Sequence, residues 1–144
     1  MDSKNIHLIA QAHPILFYDG ECVLCDRTVQ FILKRDEGLL FRFMSIQAAV
    51  AENFFPKEIN GLSPKTLSST LLLYQDQWYI YERAAIKSLS LLGGQWRLLS
   101  YIINLFPTLV SRSIYKTIAK HRYQIFGRQA YCAMPDAKWK ASFI

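Results

Sequence analysis

Ile15-Leu16-Phe17-Tyr18-Asp19-Gly20-Glu21-Cys22-Val23-Leu24-Cys25 runs straight into Asp26-Arg27-Thr28-Val29-Gln30-Phe31-Ile32-Leu33-Lys34, and the expected topology follows from this segment. A short apolar run stops at an acidic residue and a glycine, two cysteines come next with two residues between them, and the pattern then becomes helical. That order places a dithiol at the first turn of a helix, just beyond the end of a strand.

Residues three apart on a helix are neighbours on one face, so Cys22 and Cys25 can share a disulfide or stand as separate thiols. The first turn of a helix exposes unpaired N–H groups and the positive end of the macrodipole, which favour a thiolate. Cys22, nearer the start and the more exposed in this reading, is the expected nucleophile. Cys25, Val29, Ile32 and Leu33 follow i, i+4, i+7, i+8, one apolar stripe turned to a core, so Cys25 is the expected resolving thiol. Two other readings are open: the cysteines as small core residues, or as ligands of a structural metal completed by Cys132, His7, His13 or His121.

Asp19-x-x-Cys22-x-x-Cys25 between an apolar strand and a helix resembles the signature of the DCC family of predicted thiol-disulfide oxidoreductases, named for those three residues. Further matches are Ala84-Ala85, Leu92-Gly93-Gly94, Ile114-Tyr115, and Arg122-Tyr123-Gln124-Ile125-Phe126-Gly127-Arg128 followed by Cys132, so the resemblance spans about residues 14 to 135. It implies a thioredoxin-like fold and dithiol chemistry, without naming a substrate.

The 144 residues, 51% of them hydrophobic, suffice for one domain with a substantial core, expected as a thioredoxin-like part over about 14–94 and a helical extension over about 95–135. Residues 1–60 carry a net −2 and residues 61–144 a net +8. A basic half can meet an anionic partner, but the aromatics lie in apolar runs and form no stacking platform, so nucleic acid is not an expected partner. The N-terminus lacks a secretory pattern, and three cysteines do not make a disulfide framework, so a cytoplasmic protein with reduced thiols is expected. Leu98 to Ser111 carries no charged residue but is too short to span a bilayer; peripheral membrane contact stays open, with a buried helix as the commoner outcome.

In chain order, His7–Ala12 is read as an extended or irregular lead-in and Ile15–Tyr18 as a strand buried on both faces. A helix over Cys22–Lys34 is expected to end near Gly38 in the left-handed conformation, and Leu39–Ile46 to form a strand parallel to the first. Gln47–Phe55 reads as a short helix stopped by Pro56, and Lys57–Ser69 as loop. Thr70–Tyr74 and Trp78–Tyr81 read as a hairpin, Ala84–Leu92 as a helix with Ala85, Ile86, Leu89 and Leu92 inward, and Gln95–Phe106 and Thr108–Tyr123 as helices split by Pro107. The first of these two is expected to pack on the sheet or on its partner, and the chain from Gly127 to be irregular. Strand, helix, strand, hairpin, helix is the thioredoxin-like α/β plan, here with flanking helices and a C-terminal helical extension.

Around the dithiol, Asp19 is read as a helix cap, a proton acceptor for Cys25, or both. Glu21 and Asp26 join it in opposing a thiolate, whereas Arg122 or Arg128 could approach and offset them. Val23-Leu24 stands where thioredoxin, similar only in spacing, has Gly-Pro. No proline directly precedes the hairpin: Pro64 lies six residues before Thr70, leaving Leu67-Ser68-Ser69 to face the site. Cys132 is read as inert and His121 as part of a solvated face. The chemistry needs no bound cofactor. Its expected partners are a disulfide-containing substrate and a thiol reductant system; the residues do not specify an oligomer.

Overall fold

The computed structural model describes residues 3–19, 23–51, 54–55, 70–80, 82–127 and 141–144, with backbone alone at 3, 23–26, 122, 123 and 126. Within them the order is α1 (Ser3–Ala12), β1 (Ile15–Tyr18), α2 (Val23–Leu33), β2 (Arg42–Ser45), α3 (Ile46–Ala51), β3 (Leu71–Tyr74), β4 (Gln77–Ile80), α4 (Glu82–Leu92), α5 (Gly94–Asn104) and α6 (Thr108–Phe126). The four strands form one sheet of order β2-β1-β3-β4. β1 pairs parallel with β2 and antiparallel with β3, and β3 pairs antiparallel with β4. That is the thioredoxin-like α/β arrangement expected from the sequence.

β1 is the centre of the core because its apolar run feeds both faces of the sheet. Ile15 and Phe17 point to one side, among Ile6, Ala10, Met44, Phe54 and Leu73. Leu16 and Tyr18 point to the other, among Val29, Ile32, Phe43, Leu72 and Ala84. Each aliphatic or aromatic side chain so buried contributes roughly 1.5–3 kcal/mol from removal of apolar surface, so a central strand without polar interruptions is favoured. α1 and α3 cover the first face, and α2 and α4 the second.

The lead-in before β1 is a helix, not an extended segment. Ile6, Ile9, Ala10 and His13 recur at i, i+3, i+4, i+7; Ile6 and Ala10 are fully buried, and Ile9 packs beside them. Pro14 disfavours helical backbone at the residue before it, and α1 stops at Ala12. The helix is tied to the hairpin by Gln75 N–H donating to the Ala10 carbonyl at 2.9 Å.

The turn after α2 also differs from expectation. Leu39, not Gly38, takes the left-handed conformation, with φ 49°. The cause is Asp36, whose buried carboxylate accepts from the Leu40 and Phe41 N–H groups at 2.9 and 2.8 Å and draws the chain around Leu39. β2 is consequently shorter than expected. Ile46 already opens α3, where the Ser45 hydroxyl caps by accepting from Ala48 N–H at 3.2 Å. α3 ends at Ala51, before the Phe55 expected from the sequence; Phe54 and Phe55 are buried outside it. The expected loop Lys57–Ser69, with Pro64, lies outside the described residues.

The hairpin turns on Gln75-Asp76, both at positive φ (51° and 60°), which gives the twist a two-residue connection needs. α4 is rotated from the expected stripe: Ala84 and Ser88 are buried while Ala85 is exposed. Two small residues let the helix approach the sheet, and the Ser88 hydroxyl is satisfied internally by donating to the Ala84 carbonyl at 2.7 Å. Gly93 and Gly94 do more than close α4, since Gly94 begins α5. α5 lies against α4, but much of its apolar surface faces outward, contrary to the expectation of a packed helix. At the C-terminus Phe143 forms a parallel bridge to Phe43, and Ile144 N–H donates to the Phe43 carbonyl at 2.9 Å, so these last residues extend the β2 edge and are not irregular.

Asp36→Ala leaves two backbone donors without their acceptor at a buried turn. It is expected to lower stability by about 2 kcal/mol in urea denaturation; a loss near zero would show that the turn holds without the carboxylate.

Candidate functional site

β1, β2 and β4 run the same way, so their carboxyl ends share one sheet edge with the amino end of β3. In open α/β sheets this edge is where loops can build a site without breaking the sheet. Tyr18 aligns with Ser45, so the residues that follow each, Asp19 and the first turn of α3, lie side by side. α2 follows β1 after residues 20–22, and α4 follows β4 after residue 81. Both helices therefore direct their N-termini, with unpaired N–H groups, to this edge.

Asp19 is buried at 7% exposure, and its Oδ1 accepts from the Gln47 Nε2 amide at 2.9 Å. The bond ties the ends of the two parallel strands together across the edge. Cys25 is the third residue of α2, and Val29, Ile32 and Leu33 of the expected stripe are buried against the sheet. Cys22, Glu21, Arg128 and Cys132 lie outside the described residues, as do the side chains of Cys25, Asp26 and Arg122. Leu67-Ser68-Ser69 lies outside them too. Of the sequence-derived site residues, Asp19 is thus placed with its side chain, while Cys25, Asp26 and Arg122 are placed by backbone.

The extension reaches the same edge. On α6, the Tyr115 hydroxyl accepts from Thr70 N–H at 3.2 Å, immediately before β3. Glu82, in the first turn of α4 and 5% exposed, receives Arg112 of α6: Nη2 lies 3.1 Å from Oε1, and Nε donates at 3.2 Å. α6 also contacts α2. These contacts clamp the long C-terminal helix over the edge from which α2 and α4 start. Tyr115 was visible only as part of a family match. The Glu82–Arg112 pair, 30 residues apart, has no local signal; the sequence marks Glu82 only as the last carboxylate before a run from Arg83 to Pro135 without Asp or Glu.

The far end of α2 is held by rings. Phe31 and Trp96 pack edge-on with centroids 4.9 Å apart, and the Arg35 guanidinium lies 3.8 Å from the Phe31 centroid. The three histidines are dispersed: His7 lies beside Asp76, His13 Nδ1 is 2.8 Å from the Leu40 carbonyl, and His121 is half-buried beside Gln124. Among the described residues no cluster of three or more His, Cys, Asp or Glu could hold a metal ion.

A sheet of this order, with Asp-x-x-Cys-x-x-Cys in the sequence between its strand β1 and helix α2, defines a thioredoxin-like α/β protein. The chain belongs to the DCC1-like thiol-disulfide oxidoreductase family, whose profile matches residues 16–128. It is 35% identical over 130 residues to the uncharacterized protein YuxK of Bacillus subtilis (strain 168), an alignment covering 90% of this chain and 93% of that protein. It is 28% identical over 121 residues to the DCC family protein At1g52590, chloroplastic, of Arabidopsis thaliana, covering 84% and 69%. No solved structure matches the chain. At the level of the family, the activity is that of a thiol-disulfide oxidoreductase.

The side chain of Arg112 is 41% exposed and that of Glu82 only 6%, so the pair stands between a screened surface bridge and a buried one. Arg112→Ala is expected to cost about 1–3 kcal/mol in urea denaturation by stranding the Glu82 carboxylate. A Glu82→Leu, Arg112→Leu double variant should lose less than Arg112→Ala alone. A single-variant loss near zero would mean that water already screens the pair.

Proposed function

We propose that Cys22 and Cys25 are the working dithiol of this family member, Cys22 attacking and Cys25 resolving. The observation that carries the reading is the position of Asp19, buried and held by Gln47 at the carboxyl end of β1, one short connection before the α2 turn that contains Cys25.

The Cys22 thiolate attacks one sulfur of a substrate disulfide, and the other sulfur leaves as a thiolate and takes a proton. A mixed disulfide now joins Cys22 to the substrate. Cys25 gives up its proton and attacks Cys22 Sγ, expelling the second substrate sulfur, which is protonated in turn. Two electrons pass to the substrate, and the protein is left with a Cys22–Cys25 disulfide that a separate thiol reductant must reduce. The carboxylate of Asp19 is the acceptor for the Cys25 proton in this scheme, a role that suits a buried base close to the helix start.

The start of α2 favours the attacking thiolate, whereas Asp19, Glu21 and Asp26 oppose it. A cation from the extension, Arg122 or Arg128, would offset them, and the contact of α6 with α2 supports that role. The substrates are proteins or small molecules with an accessible disulfide. A reducing compartment, the cytoplasm, fits three cysteines that return to thiols between turnovers.

Trapping tests the assignment. Cys25→Ser should accumulate mixed disulfides with substrate that reductant releases, while Cys22→Ser should accumulate none. Equal trapping by both variants, or by neither, would overturn the roles given to the two sulfurs; trapping by neither would leave the chain as a binding scaffold.

A further inference from the structure

Among the described residues, the helical extension presents an exposed apolar corner. Leu105 and Leu109, on either side of Pro107, are 84% and 83% exposed, and Phe106 between them is 59% exposed. Large apolar side chains this far out are not explained by the general apolarity of protein surfaces, because they adjoin one another in the chain and continue along α5. Leu98, Tyr101, Ile102 and Leu105 recur at i, i+3, i+4, i+7, and all four are exposed. The opposite side of that helix, with buried Ser100, turns inward.

Along the two helices that form this corner the charge has one sign, and the nearest carboxylate, Glu82 of α4, is paired with Arg112. From Arg83 to Pro135, which includes all of α5 and α6, every charged residue is Lys or Arg. We propose that the α5–α6 corner is a docking surface for an anionic lipid bilayer, with Leu105, Phe106 and Leu109 entering the acyl boundary and the cationic helices facing the headgroups. No described helix is long and apolar enough to cross a membrane, and α5 at 11 residues extends roughly 16 Å, about half a hydrocarbon core. The contact is therefore peripheral.

Charge decides against a second copy as the occupant. Two such corners facing each other would bring cations together with no carboxylate on either helix to pair them. Shape favours a bilayer over a protein partner. The cavity beside the corner, lined by Glu82, Ile103, Phe106 and Thr108 among others, has about 20 Å³, room for a water but not for an anchoring side chain. Protruding leucines beside so small a cavity suit a fluid of acyl chains, which conforms to them.

Because that cavity adjoins Glu82, the corner lies beside the edge where α4 begins. Docking would hold the thiol edge close to disulfides at a bilayer surface; this consequence alone rests on the dithiol reading, and vesicle binding is measured without it.

The reduced full chain is mixed with vesicles of phosphatidylcholine containing phosphatidylglycerol and, separately, of phosphatidylcholine alone, and co-sedimentation is followed. Binding is expected to the anionic vesicles, several-fold weaker at high salt, and weaker still to the neutral ones. Leu105→Ser with Leu109→Ser should reduce partitioning about tenfold or more, with an unchanged circular dichroism spectrum. Leu109→Gln alone should give a smaller fall and serves if the double variant does not fold. No binding to anionic vesicles, or binding that the variants leave unchanged, would overturn the proposal. So would a concentration-dependent dimer in sedimentation that the same variants abolish, since the corner would then be an interface between copies.

Discussion

Strand β1 is buried on both faces and yet ends in a polar group at the sheet edge. Its four residues are apolar or aromatic and buried, so nothing along the strand can supply polar chemistry. The change comes at one residue, Asp19, whose carboxylate is also removed from bulk water. A buried carboxylate needs a donor, and Gln47 supplies one from α3, the element that follows the parallel neighbour strand. The same hydrogen bond therefore satisfies a costly group and pins the two strand ends between which the family's chemistry is expected.

The extension completes that edge. In the minimal thioredoxin-like plan the helix after the hairpin would end the fold; here α6 returns to the edge and places Tyr115 against the backbone before β3 and Arg112 against Glu82. The Thr70 bond fixes the start of β3, and the Glu82 pair fixes the start of α4. Both positions lie on the sheet edge at which β1 ends, so the added helices brace that edge while leaving much of their own outer face apolar. Stability and surface properties are divided between the two sides of the same helices.

Much of this was legible in the residues, and the failures have particular causes. β1, β2, the hairpin and the parallel pairing followed from short apolar runs separated by turn residues, because burial on two faces leaves few polar positions to confuse the pattern. α1 was misread because Pro14 draws attention to extended backbone, although Ile6, Ile9 and Ala10 carry helical spacing. The left-handed residue was assigned to Gly38 on propensity, whereas the two hydrogen bonds to Asp36 decided it for Leu39. The inward stripe of α4 differs from the apolar one over Ala85, Ile86, Leu89 and Leu92 because the Ser88 hydroxyl bonds within the helix and can be buried. α5 was expected to be covered because apolar helices usually are. Of the site, the Asp-x-x-Cys-x-x-Cys order was legible from local spacing, but Gln47, Glu82 and Arg112 were not, since their partners are distant in sequence and ordinary in type.

A redox titration asks whether the sheet edge presents a reversible dithiol. The full chain is equilibrated in glutathione buffers of graded potential, quenched by alkylation, and the state of each cysteine is read by mass spectrometry. The account predicts one two-electron transition that converts Cys22 and Cys25 together into an intramolecular disulfide, with Cys132 alkylated throughout. Pairing of either cysteine with Cys132, or both remaining thiols at every potential, would contradict it.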